Sequence, residues 1–149
     1  MEYKNTKFDI GKIEELKNVW FKIQDYNMCF RKLSEPVLND LALLSKVHEA
    51  YLNVYRRRGC EEQASRVYNR KKFLLVVLYL FSPKTLVGDR MRIGLRDKLA
   101  EMFGLTTSTA ISDNCSSIMF CYEKYRDFRR DVDVIYNEVV TILGDQLPH

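Results

Sequence analysis

The chain has 149 residues, 46% hydrophobic and 30% charged, with only 6 Gly and 3 Pro. It is long enough for one compact unit with a buried core and too apolar for a disordered chain, and so little turn-forming punctuation excludes a many-stranded sandwich or barrel. A formal charge of +4 is too small by itself to name a partner.

Ile10, Ile13, Leu16, Val19, Trp20, Ile23, Tyr26 and Phe30 recur at steps of three and four. That spacing predicts an amphipathic helix of about five turns, with Asp9 as its N-cap. Ser34-Glu35-Pro36 reads as a restart, with serine capping and proline in the first turn. The second helix then carries Val37, Leu41, Leu44, Val47, Tyr51 and Tyr55 on one face. Gly59 suits its left-handed C′ position, and Arg56, Arg57 and Arg58 suit the carbonyl end of its dipole.

A third helix is expected from Glu61 to Phe81, because no breaker interrupts it. Its second half, Phe73 to Phe81, is apolar on every side and should be the middle of the core. Ser82-Pro83 opens a short turn or helix that stops at Gly88. Gly94 to Phe103 reads as a compact helix with Leu95, Leu99 and Met102 or Phe103 inward, ended by Gly104. Thr106, Thr107 or Ser108 caps the next helix, whose buried face is Ile111, Cys115, Ile118, Met119 and Tyr122. Phe128, Val132, Ile135, Val139 and Ile142 carry a last helix to Gly144, with Asp127 as a candidate cap. Nothing between these two helices decides whether they are continuous. The fold class is all-α.

The charge is unevenly spread. Residues 1–55 are balanced, and residues 99–149 are acidic. Residues 56–98 hold twelve basic and four acidic side chains, net +8. Arg56, Arg57, Arg58, Arg70, Lys71, Lys72, Lys84, Arg90, Arg92, Arg96 and Lys98 belong to that run. Such a local excess is an electrostatic footprint for a polyanion; a solvated helix face is the plainer alternative.

Arg96-Asp97-Lys98-Leu99-Ala100-Glu101-Met102-Phe103-Gly104-Leu105 resembles the first helix and turn of a helix-turn-helix DNA-binding domain. Leu99 and Phe103 face the core, and Ala100 is small where the second helix crosses. Gly104 permits a positive φ in the turn, and Leu105 plugs the corner. The best-known repressor spacing would bury Ala110 and Asp113. One extra turn residue instead brings Ile111 and Cys115 inward, which fits the apolar pattern.

The resemblance implies a C-terminal helix-turn-helix unit over residues 82–149 behind an N-terminal helical region, residues 1–81. It also implies a recognition helix from Thr107 to Phe120, with Thr107, Ser108, Thr109, Ser112, Asp113 and Ser116 outward. Asn114 is the one candidate for a bidentate base contact there, since no arginine, lysine or glutamine occurs in that helix. Lys84, Arg90, Arg92 and Lys98 would clamp phosphates beside it. The stretch from Tyr79-Leu80-Phe81-Ser82-Pro83 to Tyr125-Arg126-Asp127-Phe128-Arg129 also resembles small proteins of gut Bacteroidales and their phages. That implies a phage or mobile-element setting and no activity.

Other chemistry finds little support. Glu123, Asp127 and Asp131 fall on one helical face, but Arg126, Arg129 and Arg130 interleave with them, which predicts a salt-bridged surface. His48 reads as a boundary residue, and His149 as a loose terminus. Cys29, Cys60, Cys115 and Cys121 lack Cys-x-x-Cys spacing or a nearby histidine, and read as reduced, mostly buried thiols of a cytoplasmic protein. No phosphate-cradling glycine loop occurs. No stretch approaches the ~20 apolar residues of a membrane span, and the N-terminus lacks the apolar run of a signal peptide. Tyr51, Tyr55 and Tyr68 border the basic run but have core spacing.

The expectation is therefore a helical bundle with an N-terminal antiparallel helical pair, a buried central helix and a C-terminal helix-turn-helix unit. Its expected role is non-enzymatic binding of double-stranded DNA, as a homo-oligomer, in a bacterial or phage-infected host cell. No cofactor, metal, membrane or small-molecule substrate is expected. Ile10–Phe30 and Val37–Tyr55 are the candidate self-association faces. The alternative is a helical structural or host-protein-interaction protein of a phage with no nucleic-acid role.

Overall fold

The computed structural model describes residues 7–148, so His149 and the first six residues lie outside it. Among the described residues the regular elements are all helical, with no strand. No described helix is long and apolar enough to cross a membrane. The chain divides into two units, Met1–Ser34 and Glu35–His149, and each is described by itself.

The first unit contains one helix, α1, Ile10–Leu33. The Asp9 side chain accepts from the Gly11 N–H at 2.9 Å, as an N-cap should. Arg31 and Lys32 lie in the last turn, where positive charge complements the dipole. None of its 24 residues is buried. Ser34 closes α1 by donating its N–H to the Phe30 carbonyl at 2.9 Å. It therefore ends the first helix and does not start the second.

Helix α2, Leu44–Arg57, begins later than Pro36 suggests. Residues 35–40 are non-helical, and Asp40 caps a 3-10 turn, Leu41–Leu43, by accepting from the Ala42 N–H at 3.0 Å. Two causes keep the strap extended. A residue before proline is steered out of the helical region, and Leu38 is buried with its N–H donated to the Leu80 carbonyl at 2.9 Å. Leu44, Val47, Ala50, Tyr51, Val54 and Tyr55 all enter the core. The face expected for self-association is thus used inside the fold, and α2 packs chiefly against the last helix. Gly59, at φ +71°, ends α2 as expected. Its N–H reaches the Arg56 carbonyl and the Cys60 N–H the Tyr55 carbonyl, both at 3.0 Å, a Schellman closure.

The third helix is interrupted. Glu61–Ser65 forms a 3-10 turn, Arg66 is extended, and α3 runs Val67–Phe81. Two side chains, one from α2 and one local, take the carbonyls at the break. The Tyr51 hydroxyl donates to the Ala64 carbonyl at 2.6 Å, and Asn69 Nδ2 donates to the Gln63 carbonyl at 2.8 Å. Those carbonyls would otherwise take helical N–H groups four residues on. From Phe73 to Phe81 every residue but Tyr79 is buried, so α3 is the centre of the core.

After α3 come a 3-10 turn, Pro83–Val87, and helices α4, Leu95–Met102, α5, Thr109–Cys115, α6, Ile118–Lys124, and α7, Arg126–Leu143. The two helices expected after Gly104 are therefore three, broken at Ser116–Ser117 and at Tyr125, whose backbone is extended. Core residues on both sides of Phe81 belong to one cluster. Helix α7 buries Phe128, Val132, Ile135, Val139 and Leu143 against α2 and α3. His48 is half-buried, its ring 5.4 Å from that of Phe73, and burial holds its pKa below the usual value.

The expected acidic stripe is split, Glu123 on α6 and Asp127 and Asp131 on α7, and the two aspartates pair across helices. Asp131 accepts from Lys72 Nζ at 2.6 Å and from Arg58 Nη2 at 3.0 Å. Asp127 accepts from the Tyr68 hydroxyl at 3.2 Å, and Arg129 donates to the Tyr122 and Glu123 carbonyls. The Lys72 side chain is 4% exposed, and its Nζ also donates to Asn69 Oδ1 at 2.8 Å. Burial pushes the Asp131 carboxyl up, but the hydrogen bonds from Arg58 and Lys72 outweigh it and hold the carboxyl below its usual range. Asp131→Ala leaves a buried ammonium without its counter-ion and should cost about 3 kcal/mol of stability by urea unfolding. Because the folded carboxyl has the lower pKa, its contribution is complete above the unfolded value of about 4 and lost as pH falls below it. The gap between wild type and Asp131→Ala should narrow there.

Candidate nucleic-acid interface

Gly88 and Gly94 sit at φ +99° and +88°, a region side-chain-bearing residues rarely adopt, and the loop between them projects beside α4. The buried Ser82 anchors it. Its Oγ accepts from the Arg92 N–H at 3.0 Å and lies 2.9 Å from Thr85 Oγ1. Between this loop, α4 and α5 lies a cleft of about 710 Å³. Arg90, Arg92 and Arg96 line it together with Ser112 of α5 and Ser116 just after it, and Asp89 and Asp97 contribute negative charge. Arg96 Nη1 approaches Ser112 Oγ at 3.4 Å.

Beneath the cleft, Leu95, Leu99 and Ala100 bury the inner face of α4. Gly104, at φ +66°, closes α4 with its N–H on the Glu101 carbonyl and the Leu105 N–H on the Ala100 carbonyl. Residues 103–108 separate α4 from α5, and Ile111 is fully buried with Cys115 half-buried. Burial pushes the Cys115 thiol up to about 11, so it stays protonated and unreactive.

The expected recognition helix is shorter than Thr107 to Phe120. Helix α5 has seven residues, about 10 Å at 1.5 Å each. The Ser116 hydroxyl and N–H both turn back to the Asp113 carbonyl. Lys71 Nζ donates to Ser117 Oγ at 2.6 Å, fixing the break. Thr107, Thr109, Ser112, Asp113 and Ser116 are exposed; Ser108 and Asn114 are half-buried.

The basic residues part company. Arg56 pairs with Glu49 and Glu61, and Arg57 makes two bonds of 2.7 Å to Glu138. Arg58 and Lys72 hold Asp131. Arg70 stacks over the Phe103 ring at 5.3 Å, and Arg92 donates to the Leu38 and Asn39 carbonyls. Each of these side chains has a partner within the fold, although Arg56 and Arg57 stay exposed. Among the described residues Lys84, Arg90, Arg96 and Lys98 enter no ion pair. Lys98 faces a separate depression beside Leu41, Ser45 and Glu101.

Arg96 and Ile93 line the cleft but were not among the expected contacts. Arg96 directly follows buried Leu95, so it points outward from α4, a signal present in the helical spacing. Ile93, 96% exposed beside Arg92, has no periodic signal because it lies in a loop. The division between committed and free cations is testable by urea unfolding. Arg92→Ala should lose about 1.5–3 kcal/mol, since it leaves two carbonyls without a charged donor, whereas Arg90→Ala should stay within about 0.5 kcal/mol of wild type.

No protein-family model, curated protein or solved structure matches this chain.

Proposed function

We propose that the protein is non-enzymatic and binds duplex DNA through α5 and the cations of the cleft. The proposed setting is the cytoplasm of a bacterial or phage-infected cell, as a regulator of a phage or mobile element or as a recognition subunit in DNA packaging. One observation carries this reading: Arg90 and Arg96 converge with the hydroxyls of Ser112 on α5 and Ser116 at its end on one open cleft. Guanidinium groups suit phosphate oxygens, and short hydroxyls suit phosphates and base edges alike. The exposed Ile93 offers apolar contact for a sugar or a thymine methyl. With half-buried Asn114 the sole candidate bidentate base reader on α5, affinity comes mainly from phosphates and sequence preference is modest.

The test is fluorescence anisotropy of labelled random duplex between 50 and 200 mM salt. Four free cations, Lys84, Arg90, Arg96 and Lys98, predict that log K falls with log salt at a slope of about −3 to −4. Arg90→Glu with Arg96→Glu should weaken binding at least tenfold and flatten the slope, while Arg57→Ala should change neither. Absence of binding at 50 mM salt would remove the reading.

The second reading, a helical structural or host-protein-interaction protein of a phage without a nucleic-acid role, is favoured by a specific observation. Arg56, Arg57, Arg58, Lys72 and Arg92 are held by acidic groups or carbonyls of the fold. The basic run therefore presents far less positive surface than its sequence suggests.

A further inference from the structure

Helix α1 carries a large apolar face that its own unit gives nothing to cover: the described part of Met1–Ser34 contains no other helix. Ile13, Leu16, Trp20, Ile23, Asn27 and Phe30 follow steps of 3, 4, 3, 4 and 3. That is the a/d seam of a heptad repeat, the spacing at which one helix packs on another along its length. The five apolar members are 43–66% exposed, and Val19 and Tyr26 widen the same stripe. Half-exposed side chains of this size amount to on the order of 800 Å² per helix, what each partner contributes to a specific interface.

We infer that α1 pairs with α1 of a second copy of this chain, parallel and in register. Asn27 decides the orientation. In a parallel pair it meets Asn27 of the second copy across an a layer, so amide donor faces amide acceptor. In the antiparallel pair that uses the same residues, Asn27 meets Leu16, and its amide is buried without a partner. The parallel pair also sets Lys12 and Lys17 of opposite copies beside the seam as an exposed like-charge pair, whose repulsion costs only a few tenths of a kcal/mol. The paired helix goes beyond DNA binding and does not rest on it.

Sedimentation velocity of the full chain without DNA, from 5 to 100 µM, tests the pairing. The expected result is a dimer, and Leu16→Glu with Ile23→Glu should weaken its association at least 100-fold while leaving the thermal melt of the remaining helices cooperative. Oxidation of Asn27→Cys in a Cys29→Ser background should give a disulfide-linked dimer, a result that does not depend on the double variant folding. A monomer at 100 µM, or a dimer that survives both glutamates, overturns the pairing. A dimer without the crosslink overturns the parallel register. Because no DNA is present, these outcomes are independent of the anisotropy result.

Discussion

The Lys72 ammonium lies among the aromatic and aliphatic side chains of the core and is tied to Asp131, whose other oxygen takes Arg58. One carboxylate thereby joins α2, α3 and α7. Dehydrating these charges costs several kcal/mol per ion, and the attraction repays that only when the atoms meet at hydrogen-bond distance. The cluster therefore acts less as a source of net stability than as a condition on geometry. Helix α7 has to lie along α3 at the height that brings Asp131 to Lys72. At that height Phe128 and Ile135, on either side of Asp131 along α7, enter the core with no exposed surface. Sliding α7 by one turn so that Ile135 replaced Asp131 would leave Lys72 without a carboxylate in an apolar interior. The opposite slide would put Asp127 there and carry Phe128 out of its buried place. Hydrophobic burial alone, which has no direction, would not discriminate so sharply among positions along a helix as uniformly apolar as α3.

The same cluster explains why a charge count misleads in this chain. The net +8 of residues 56–98 is a property of the sequence, and whether it is felt outside depends on where the acidic residues 99–149 end up. Asp131 and Glu138, both on α7, return to Arg58, Lys72 and Arg57. The acidic C-terminal third thus neutralises part of the basic middle third, and little of the apparent footprint remains at Arg56–Arg58. What persists lies where α7 does not reach, at the Gly88–Gly94 loop and the outer face of α4. Charge segregation along a sequence marks pairs of segments that will meet as readily as it marks a polyanion site.

Legibility of the fold followed the range of the forces. The 3.6-residue apolar period identified α7 and most of its buried face, and uniform apolarity identified α3 as the core. Gly59, Gly88 and Gly104 all adopt the positive φ expected of helix-ending glycine. What could not be read were breaks imposed from a distance. No Gly or Pro in Glu61–Phe81 forbids a continuous helix; the Tyr51 hydroxyl, more than ten residues away, takes the Ala64 carbonyl, and Asn69 takes that of Gln63. Likewise, Ser34 and Pro36 satisfy the local grammar of a helix start, yet burial of Leu38 and capping by Asp40 outweigh it. The candidate site was partly legible for the same reason. Ser112 and Ser116 share the cleft with Arg90 and Arg92, whereas Arg56–Arg58 and Lys72 were drawn away by partners whose positions only the tertiary fold determines.

The two proposals meet in one energetic argument. A cleft with two free cations, Arg90 and Arg96, and two more outside it, Lys84 and Lys98, supports few phosphate contacts, and an α5 of about 10 Å reads few base edges. Alone, such a surface would hold DNA weakly at physiological salt. Two copies joined through α1 would convert the second contact into an intramolecular one, with an effective concentration set by the segment between α1 and α2. That segment is residues 34–43, in which the Leu38 N–H is donated to the Leu80 carbonyl. Short connections raise effective concentration only if both clefts can reach the duplex together; otherwise the benefit vanishes. The salt slope separates the cases. Simultaneous engagement would double the number of neutralised phosphates, taking the slope from about −3.6 to about −7. A dimer that engages through one cleft would keep the lower value however tightly α1 pairs, and its apolar helix would then serve assembly and not recognition.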